Sequence, residues 1–214
     1  MRTAVIVFPG TNCEQDVVHA LSTLGGDAEL VWHRENDLSG FDGVVLPGGF
    51  AHGDYLRTGA IARFSPVMAE VERLADEGLP VLGICNGFQV LCEAGLLPGA
   101  LIANRDLAFI CRFVELEVTD TDTVLTRAAE AGQRIRIPLN SYEGSWVDPD
   151  RTGRVPLRYV DNPNGSQDSA AAVANSRGNV VGIMPHPERG VDHLLGSTDG
   201  RILLEGFLHS LAPA

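Results

Sequence analysis

Short apolar runs recur along the chain at Ala4–Phe8, Ala28–Trp32, Gly43–Leu46, Pro80–Ile84, Arg112–Val118 and Val180–Met184. Runs of that length, bounded by turn formers, predict strands. Between them, apolar positions three and four apart predict helices: Val17, Val18, Leu21 and Leu24 within Glu14–Leu24, then Ile61, Phe64, Val67, Met68, Val71 and Leu74 within Ala60–Leu74. A last helix is predicted near Arg201–Leu211, carrying Leu203, Leu204, Phe207 and Leu211 on one face. Strands alternating with helices in this way predict an α/β fold, a mostly parallel central sheet flanked by helices. From Arg112 to about Arg158 the rhythm turns to strand-like segments with polar turns, which predicts an antiparallel extension of that sheet. No repeat, low-complexity tract or Ser/Gly linker interrupts the pattern, so residues 1–214 read as one domain.

Composition narrows the chemistry. The hydrophobic share of 44% and charged share of 21% suit a globular protein with a real core. Sixteen basic residues face 28 acidic ones for a net −12, and every basic residue is arginine. A chain without lysine cannot form a Schiff base, nor a phosphate loop ending in Gly-Lys-Ser/Thr. Its acidic surface repels phosphate backbones, so nucleic acid is not an expected partner. The apolar run at Ala4–Phe8 is shorter than the roughly 7–15 residues of a signal-peptide core. No stretch reaches the ~18 apolar residues of a membrane span, so the expectation is a cytoplasmic protein without a membrane partner. Cys13, Cys85, Cys92 and Cys111 form neither a disulfide framework nor a Cys-x-x-Cys zinc motif, so reduced thiols and no metal site are expected.

One cysteine stands apart. Pro80-Val-Leu-Gly83-Ile84-Cys85-Asn86-Gly87-Phe88-Gln89-Val-Leu91 runs from an apolar strand through Gly-x-Cys-x-Gly into a helix-like stretch, the context of a nucleophile elbow with cysteine as nucleophile. Glycines at ±2 leave room around a strained turn, and the start of a helix favours a thiolate. Cys13, Cys92 and Cys111 lack such a setting and read as structural. A nucleophilic cysteine needs a base, and the base needs an orienting group. Met184-Pro-His186-Pro-Glu188-Arg189 offers both: two prolines hold the chain extended, which would turn His186 and Glu188 to the same side. Cys85, His186 and Glu188 are therefore the candidate catalytic residues. His19, His33, His52, His193 and His209 lack a comparable setting.

The glycine pair of Pro47-Gly48-Gly49 follows a strand and leaves backbone N–H groups unshielded, as an oxyanion hole requires. Gly49 and Asn86, the residue after the nucleophile, are the candidate oxyanion donors. Gly48 and Gln89, the latter one helical turn beyond Cys85, are candidate substrate contacts.

Gly-x-Cys-x-Gly-x-Gln, a Pro-Gly-Gly loop and a late His-Pro-Glu resemble the class I glutamine amidotransferases, whose Cys-His-Glu triad releases ammonia from glutamine. The resemblance implies a flavodoxin-like core and glutamine as substrate. Further blocks, Phe8-Pro-Gly-Thr-Asn-Cys-Glu-Gln-Asp16, Gly48-Gly-Phe-Ala-His-Gly-Asp-Tyr-Leu-Arg57 and Tyr159-Val-Asp-Asn-Pro-Asn-Gly-Ser166, resemble the branch that serves purine biosynthesis. That branch implies a separate ATP-dependent synthetase, a small bridging subunit, ATP and magnesium on the synthetase with no cofactor in this chain, and low glutaminase activity until the synthetase holds its substrate. Where such proteins commonly carry His-Gly-Glu-Gly, this chain has Ser141-Tyr142-Glu143-Gly144, and loop 139–147 is assigned no role. Two alternatives differ in what they need: an amidotransferase for another synthetase, and a redox-sensing or chaperone-like α/β protein, which has little use for His-Pro-Glu. The arginines of Asp54-Tyr-Leu-Arg57 and His186-Pro-Glu-Arg189 are expected near the mouth of the site, on a partner-facing surface.

Overall fold

The computed structural model describes residues 1–211. Its strands are β1 (Arg2–Val7), β2 (Asp27–Trp32), β3 (Gly43–Leu46), β4 (Val81–Ile84), β5 (Ala100–Ile102), β6 (Ile110–Val118), β7 (Arg134–Ser141), β8 (Ser145–Val147), β9 (Arg154–Tyr159), β10 (Ala170–Ala174) and β11 (Val180–Ile183). Its α-helices are α1 (Glu14–Thr23), α2 (Pro66–Glu77), α3 (Asn86–Glu93) and α4 (Gly200–Ser210). Nine strands form one sheet in the order β2-β1-β3-β4-β11-β10-β9-β6-β7, and β5 and β8 pair separately. The first five run parallel in the flavodoxin-like order, and the remaining four continue the sheet antiparallel.

The central strands β3, β4 and β11 are buried at every position, which is why they read as unbroken apolar runs rather than alternating ones. In β7 one face is wet: Ile135, Ile137 and Leu139 are buried while Arg134 and Arg136 are exposed. Strand order reverses after β2, so right-handed crossovers place α1 on one face of the sheet and α2 and α3 on the other. Helix α4 joins α1, and Leu211, with Phe207 beside it, fills the space that Gly43 leaves on β3.

Two local expectations change. The helix expected over Ala60–Leu74 begins only at Pro66, preceded by a 3₁₀ turn at Ala62–Phe64. Proline at the first helical position fixes that start, and Gly78, in the left-handed conformation (φ 95°), ends the helix. Phe64, counted on the apolar face, is 74% exposed. Strand β10 escapes the pattern because its sequence is Ala-Ala-Ala-Val-Ala, poor in strand formers, yet all five residues are buried between β11 and β9. Among the described residues no helix is long and apolar enough to cross a membrane.

Helix α3 lies unusually close to the sheet. A Cβ on Gly182 of β11 would collide with the Phe88 ring of α3, and one on Gly87 would meet the Leu46 carbonyl. Gly182→Ala should therefore destabilise the fold by about 1–3 kcal/mol through overpacking, seen as a lower urea midpoint with an unchanged m-value.

Candidate active site

Loops at the carboxyl ends of β1, β3, β4 and β11 converge with the end of β7 on a cleft of about 620 Å³. This is the edge at which open α/β sheets bind ligands. Cys85 stands between β4 and α3 with φ 51° and ψ −105°, a conformation strained for a residue with a side chain. Its N–H donates to the Ile183 carbonyl (2.8 Å), and its carbonyl accepts from the Gln89 N–H (3.2 Å). A Cβ at Gly83 would lie 2.7 Å from the Gly87 backbone, so the flanking glycines permit the turn by close approach. The Cys85 Sγ faces the Asn140 carbonyl at 3.5 Å. Asn86 occupies the first turn of α3, whose N–H groups have no intrahelical acceptor.

His186 enters after β11, its N–H held by the Pro138 carbonyl (2.8 Å). Its Nδ1 lies 2.6 Å from Glu188 Oε1, and both side chains are buried. The reason differs from the extended Pro-His-Pro-Glu expected: Pro187–Arg189 is a 3₁₀ turn, and its curl brings Glu188 back to the imidazole. Burial opposes protonation of His186, yet the Glu188 charge, with Cys85 and Cys13 beside it, holds its pKa well above the ordinary imidazole value. Among the described residues His186 Nε2 has no hydrogen-bond partner.

Gly48 and Gly49 join the loops after β1 and β3. The Gly48 carbonyl accepts from Asn12 N–H (3.3 Å) and Cys13 N–H (3.2 Å). Gly49 has φ 146°, and a Cβ there would sit 2.7 Å from the Asn12 nitrogen. Gly48 is crowded on the cleft side: its missing Cβ would fall 2.9 Å from His186 Cε1, 3.1 Å from Cys13 Sγ and 3.4 Å from Cys85 Cβ.

Asn86 and Gln89 are buried, and their amides tie two loops together. Asn86 Oδ1 accepts from the Ala51 N–H (2.9 Å), and its Nδ2 donates to Asp54 Oδ1 (3.0 Å) and Gln89 Oε1 (2.9 Å). Gln89 Nε2 donates to the Glu143 carbonyl (2.7 Å). Gln89 lines the cleft, but both ends of its amide are engaged with protein.

The structure adds residues that local motifs did not single out. Cys13, read as structural, borders the cleft, and its Sγ receives Arg189 Nη2 at 3.2 Å while Arg189 Nε donates to Asp16 (3.0 Å). Loop 139–147, given no role, supplies the Asn140 and Glu143 carbonyls, and the Glu143 carboxylate accepts from Thr58 (2.9 Å). Asp54 is half-buried opposite it. Burial, opposed by the Asn86 hydrogen bond and reinforced by the Glu143 charge, pushes the Asp54 carboxyl up to about 6. These contacts join positions 32 to 176 residues apart and leave no local spacing to read. Arg189 stands at the cleft as expected, whereas Arg57 does not line it: its guanidinium grips Glu93 through two bonds of 2.7 and 2.6 Å. Cys92 is half-buried, and desolvation pushes its thiol pKa up, whereas Cys111 is exposed.

A thiol on a strained strand-to-helix turn, sharing a cleft with a histidine that is paired with glutamate, can carry acyl transfer from an amide. The chain belongs to the CobB/CobQ-like glutamine amidotransferase family, whose domain matches residues 1–201. It is 52% identical over 215 aligned positions to the phosphoribosylformylglycinamidine synthase subunit PurQ of Rubrobacter xylanophilus, covering 97% of this chain and 98% of that protein. Among solved structures it is similar to a chain of PurLQS from Thermotoga maritima, at 44% identity, 99% coverage of both chains and a TM-score of 0.95. A glutamine amidotransferase from Thermotoga maritima, at 19% identity and a TM-score of 0.61 over 99% of this chain and 96% of that one, shares the fold.

Two outcomes follow from the site's geometry. Both Cys85→Gly and Cys85→Ala lose the thiol, but only glycine relieves the backbone, so the glycine variant should be the more stable by about 1–3 kcal/mol in urea unfolding. Asp54 titrates near 6 in the folded chain against 3.8 ordinarily. The folded state therefore holds that proton more tightly, and stability falls as pH rises through this interval. Asp54→Asn should remove that fall, so its stability relative to the native chain should climb between those pH values.

Proposed function

We propose that this chain is the glutaminase subunit of phosphoribosylformylglycinamidine synthase, releasing ammonia from glutamine for an ATP-dependent synthetase in purine biosynthesis. The observation that carries the chemistry is that Cys85 and His186 line one cleft, with Glu188 buried behind and joined to the imidazole at 2.6 Å. Near full-length likeness to the Rubrobacter subunit supports the choice of pathway. Likeness to a chain of the Thermotoga PurLQS structure supports assembly with a synthetase and a small bridging subunit. ATP and magnesium belong, in this reading, to the synthetase.

In the reaction, Cys85 Sγ attacks the side-chain amide carbon of glutamine. The developing oxyanion faces the N–H groups of Gly49 and Asn86, each worth roughly 3–4 kcal/mol of barrier by analogy with measured oxyanion donors. His186 takes the thiol proton and delivers it to the departing ammonia, leaving a thioester on Cys85. It then takes a proton from water as that water attacks the thioester, and returns it to the Cys85 sulfur as the C–S bond breaks and glutamate leaves. Glu188 holds the imidazole orientation and favours its charged form, consistent with the raised His186 pKa. Asn86 serves twice: its backbone faces the oxyanion, while its side chain fixes the Ala51 N–H and so the loop that carries Gly49. Gln89 acts by supporting this frame. A redox sensor would have no use for the His186–Glu188 pair or for glycine-bared N–H groups.

Combined with the synthetase, Cys85→Ala should abolish glutamine-dependent product formation and leave ammonium-dependent formation intact. Glutamine-dependent synthesis by Cys85→Ala at the native rate would overturn the reading. Glu188→Gln should lower kcat/KM for glutamine by up to ~10⁴-fold, the size of the matching change in a serine triad. It should also move the histidine-dependent limb of the pH–rate profile to lower pH, because the charge that raises the His186 pKa is removed.

A further inference from the structure

Cys13 belongs to no step of the reaction, yet it shares the reacting space. Its Sγ, a ring nitrogen of His186 and a carboxylate oxygen of Glu188 all lie within 4.8 Å of one another, and all three residues are buried. The position where Gly48 lacks a Cβ is 3.1 Å from Cys13 Sγ, 2.9 Å from His186 Cε1 and 3.4 Å from Cys85 Cβ. Two thiols and an imidazole thus border one small space that only a hydrogen at position 48 leaves open.

The imidazole is arranged as a ligand. His186 is 2% exposed, its Nδ1 is held by Glu188 at 2.6 Å, and its Nε2 has no partner. A carboxylate on one ring nitrogen, fixing the tautomer and leaving the other nitrogen's lone pair free, is the usual outer support of a metal-bound histidine. Cys13 Sγ is fixed in place by Arg189 Nη2 at 3.2 Å and Asn12 Oδ1 at 3.2 Å. Cys85 Sγ lies outside that 4.8 Å group, and among the described residues its one hydrogen-bonding contact, a weak one to the Asn140 carbonyl at 3.5 Å, is all that holds it from turning toward this space.

We propose that Cys13, Cys85 and His186 form a capture site for a soft divalent cation, zinc above all, and that its occupancy switches off the glutamine cleft. Two thiolates and one imidazole, with a fourth position left to water, are a tetrahedral zinc set, and magnesium or calcium would find no suitable oxygen cage there. The metal forms bonds to two sulfurs and to Nε2, and the two thiol protons pass to solvent. Nucleophile and base lose their lone pairs together. Glu188 stays on Nδ1 as support and is not a ligand.

The inhibition rests on the glutaminase reading, whereas metal binding does not, so the test has two arms. The full chain carrying Cys111→Ser, which removes the exposed thiol, is titrated with cobalt(II), and zinc is then added. Thiolate-to-cobalt absorption that zinc displaces is expected, with its intensity about halved in Cys13→Ser and in Cys85→Ser. In the second arm, zinc should inhibit glutamine hydrolysis, a chelator should restore it, and Cys13→Ser should need at least about tenfold more zinc for half-inhibition of its own activity. Absence of the absorption band, or full intensity retained in Cys13→Ser, overturns the site whether or not the chain hydrolyses glutamine. Should Cys13→Ser not fold, the Cys85→Ser spectrum decides: a one-thiolate band sustains Cys13 as a ligand, and no band overturns it. A two-thiolate band on a chain that hydrolyses no glutamine would sustain the cation site and overturn the glutaminase reading instead.

Discussion

The strand-to-helix turn at Cys85 is the constraint on which the cleft is built. A side-chain-bearing residue at φ 51° and ψ −105° costs of order 1–3 kcal/mol, and it persists only where its surroundings leave no alternative. Those surroundings are β4 and β11 beneath α3, with Gly83, Gly87 and Gly182 letting backbone and the Phe88 ring into near contact. Burial of Phe88, Val90 and Leu91 holds the helix down, and the helix in turn holds the thiol at the apex of the turn. Packing energy from the core is in this way converted into the placement of one sulfur atom. The same helix start leaves first-turn N–H groups without intrahelical acceptors beside the thiol, so both arise from a single backbone event.

Electrostatics at the site run against the character of the whole chain. The net charge is −12, and the cleft adds Asp54 and Glu143 close together and Glu188 out of water. A buried carboxylate needs a partner, and Glu188 has one in His186, the pair being mutually stabilising only because each removes the other's desolvation penalty. Arg189, tied to Asp16 and Cys13, is the arginine that stands in the cleft lining and sets a positive charge at the same corner. Asp54 and Glu143 have no such cation among the groups that shift the Asp54 carboxyl, and it responds by holding its proton to higher pH.

Much of the parallel half was legible in the chain because central buried strands are unbroken apolar runs and their helices repeat at a period near 3.6. Gly-x-Cys-x-Gly and Pro-His-Pro-Glu were legible because the glycines and prolines that shape those turns are adjacent to the groups they place. What stayed hidden is long-range or runs against propensity. Strand β10 is nearly all alanine and is a strand only through its neighbours. Pro66 starts a helix whose apolar spacing extends back past Ile61, so periodicity alone put the boundary too early. The curl that unites His186 with Glu188 is a 3₁₀ turn rather than an extended segment, a distinction two prolines do not reveal. Cys13 meets Arg189 across 176 positions, and nothing in either local sequence announces the meeting.

The paired amides of Asn86 and Gln89 have a mechanical meaning. They rest on one helix turn, and their outer ends reach the Ala51–Asp54 loop on one side and the Glu143 carbonyl on the other. The first loop follows the parallel strand β3 and the second follows the antiparallel strand β7, so the two amides form a crossbar between halves of the sheet that are otherwise built on different principles. Its length is set by covalent geometry and four hydrogen bonds, which gives the cleft one width. A push on either loop is therefore felt at the other through α3, and the thiol sits at the fulcrum.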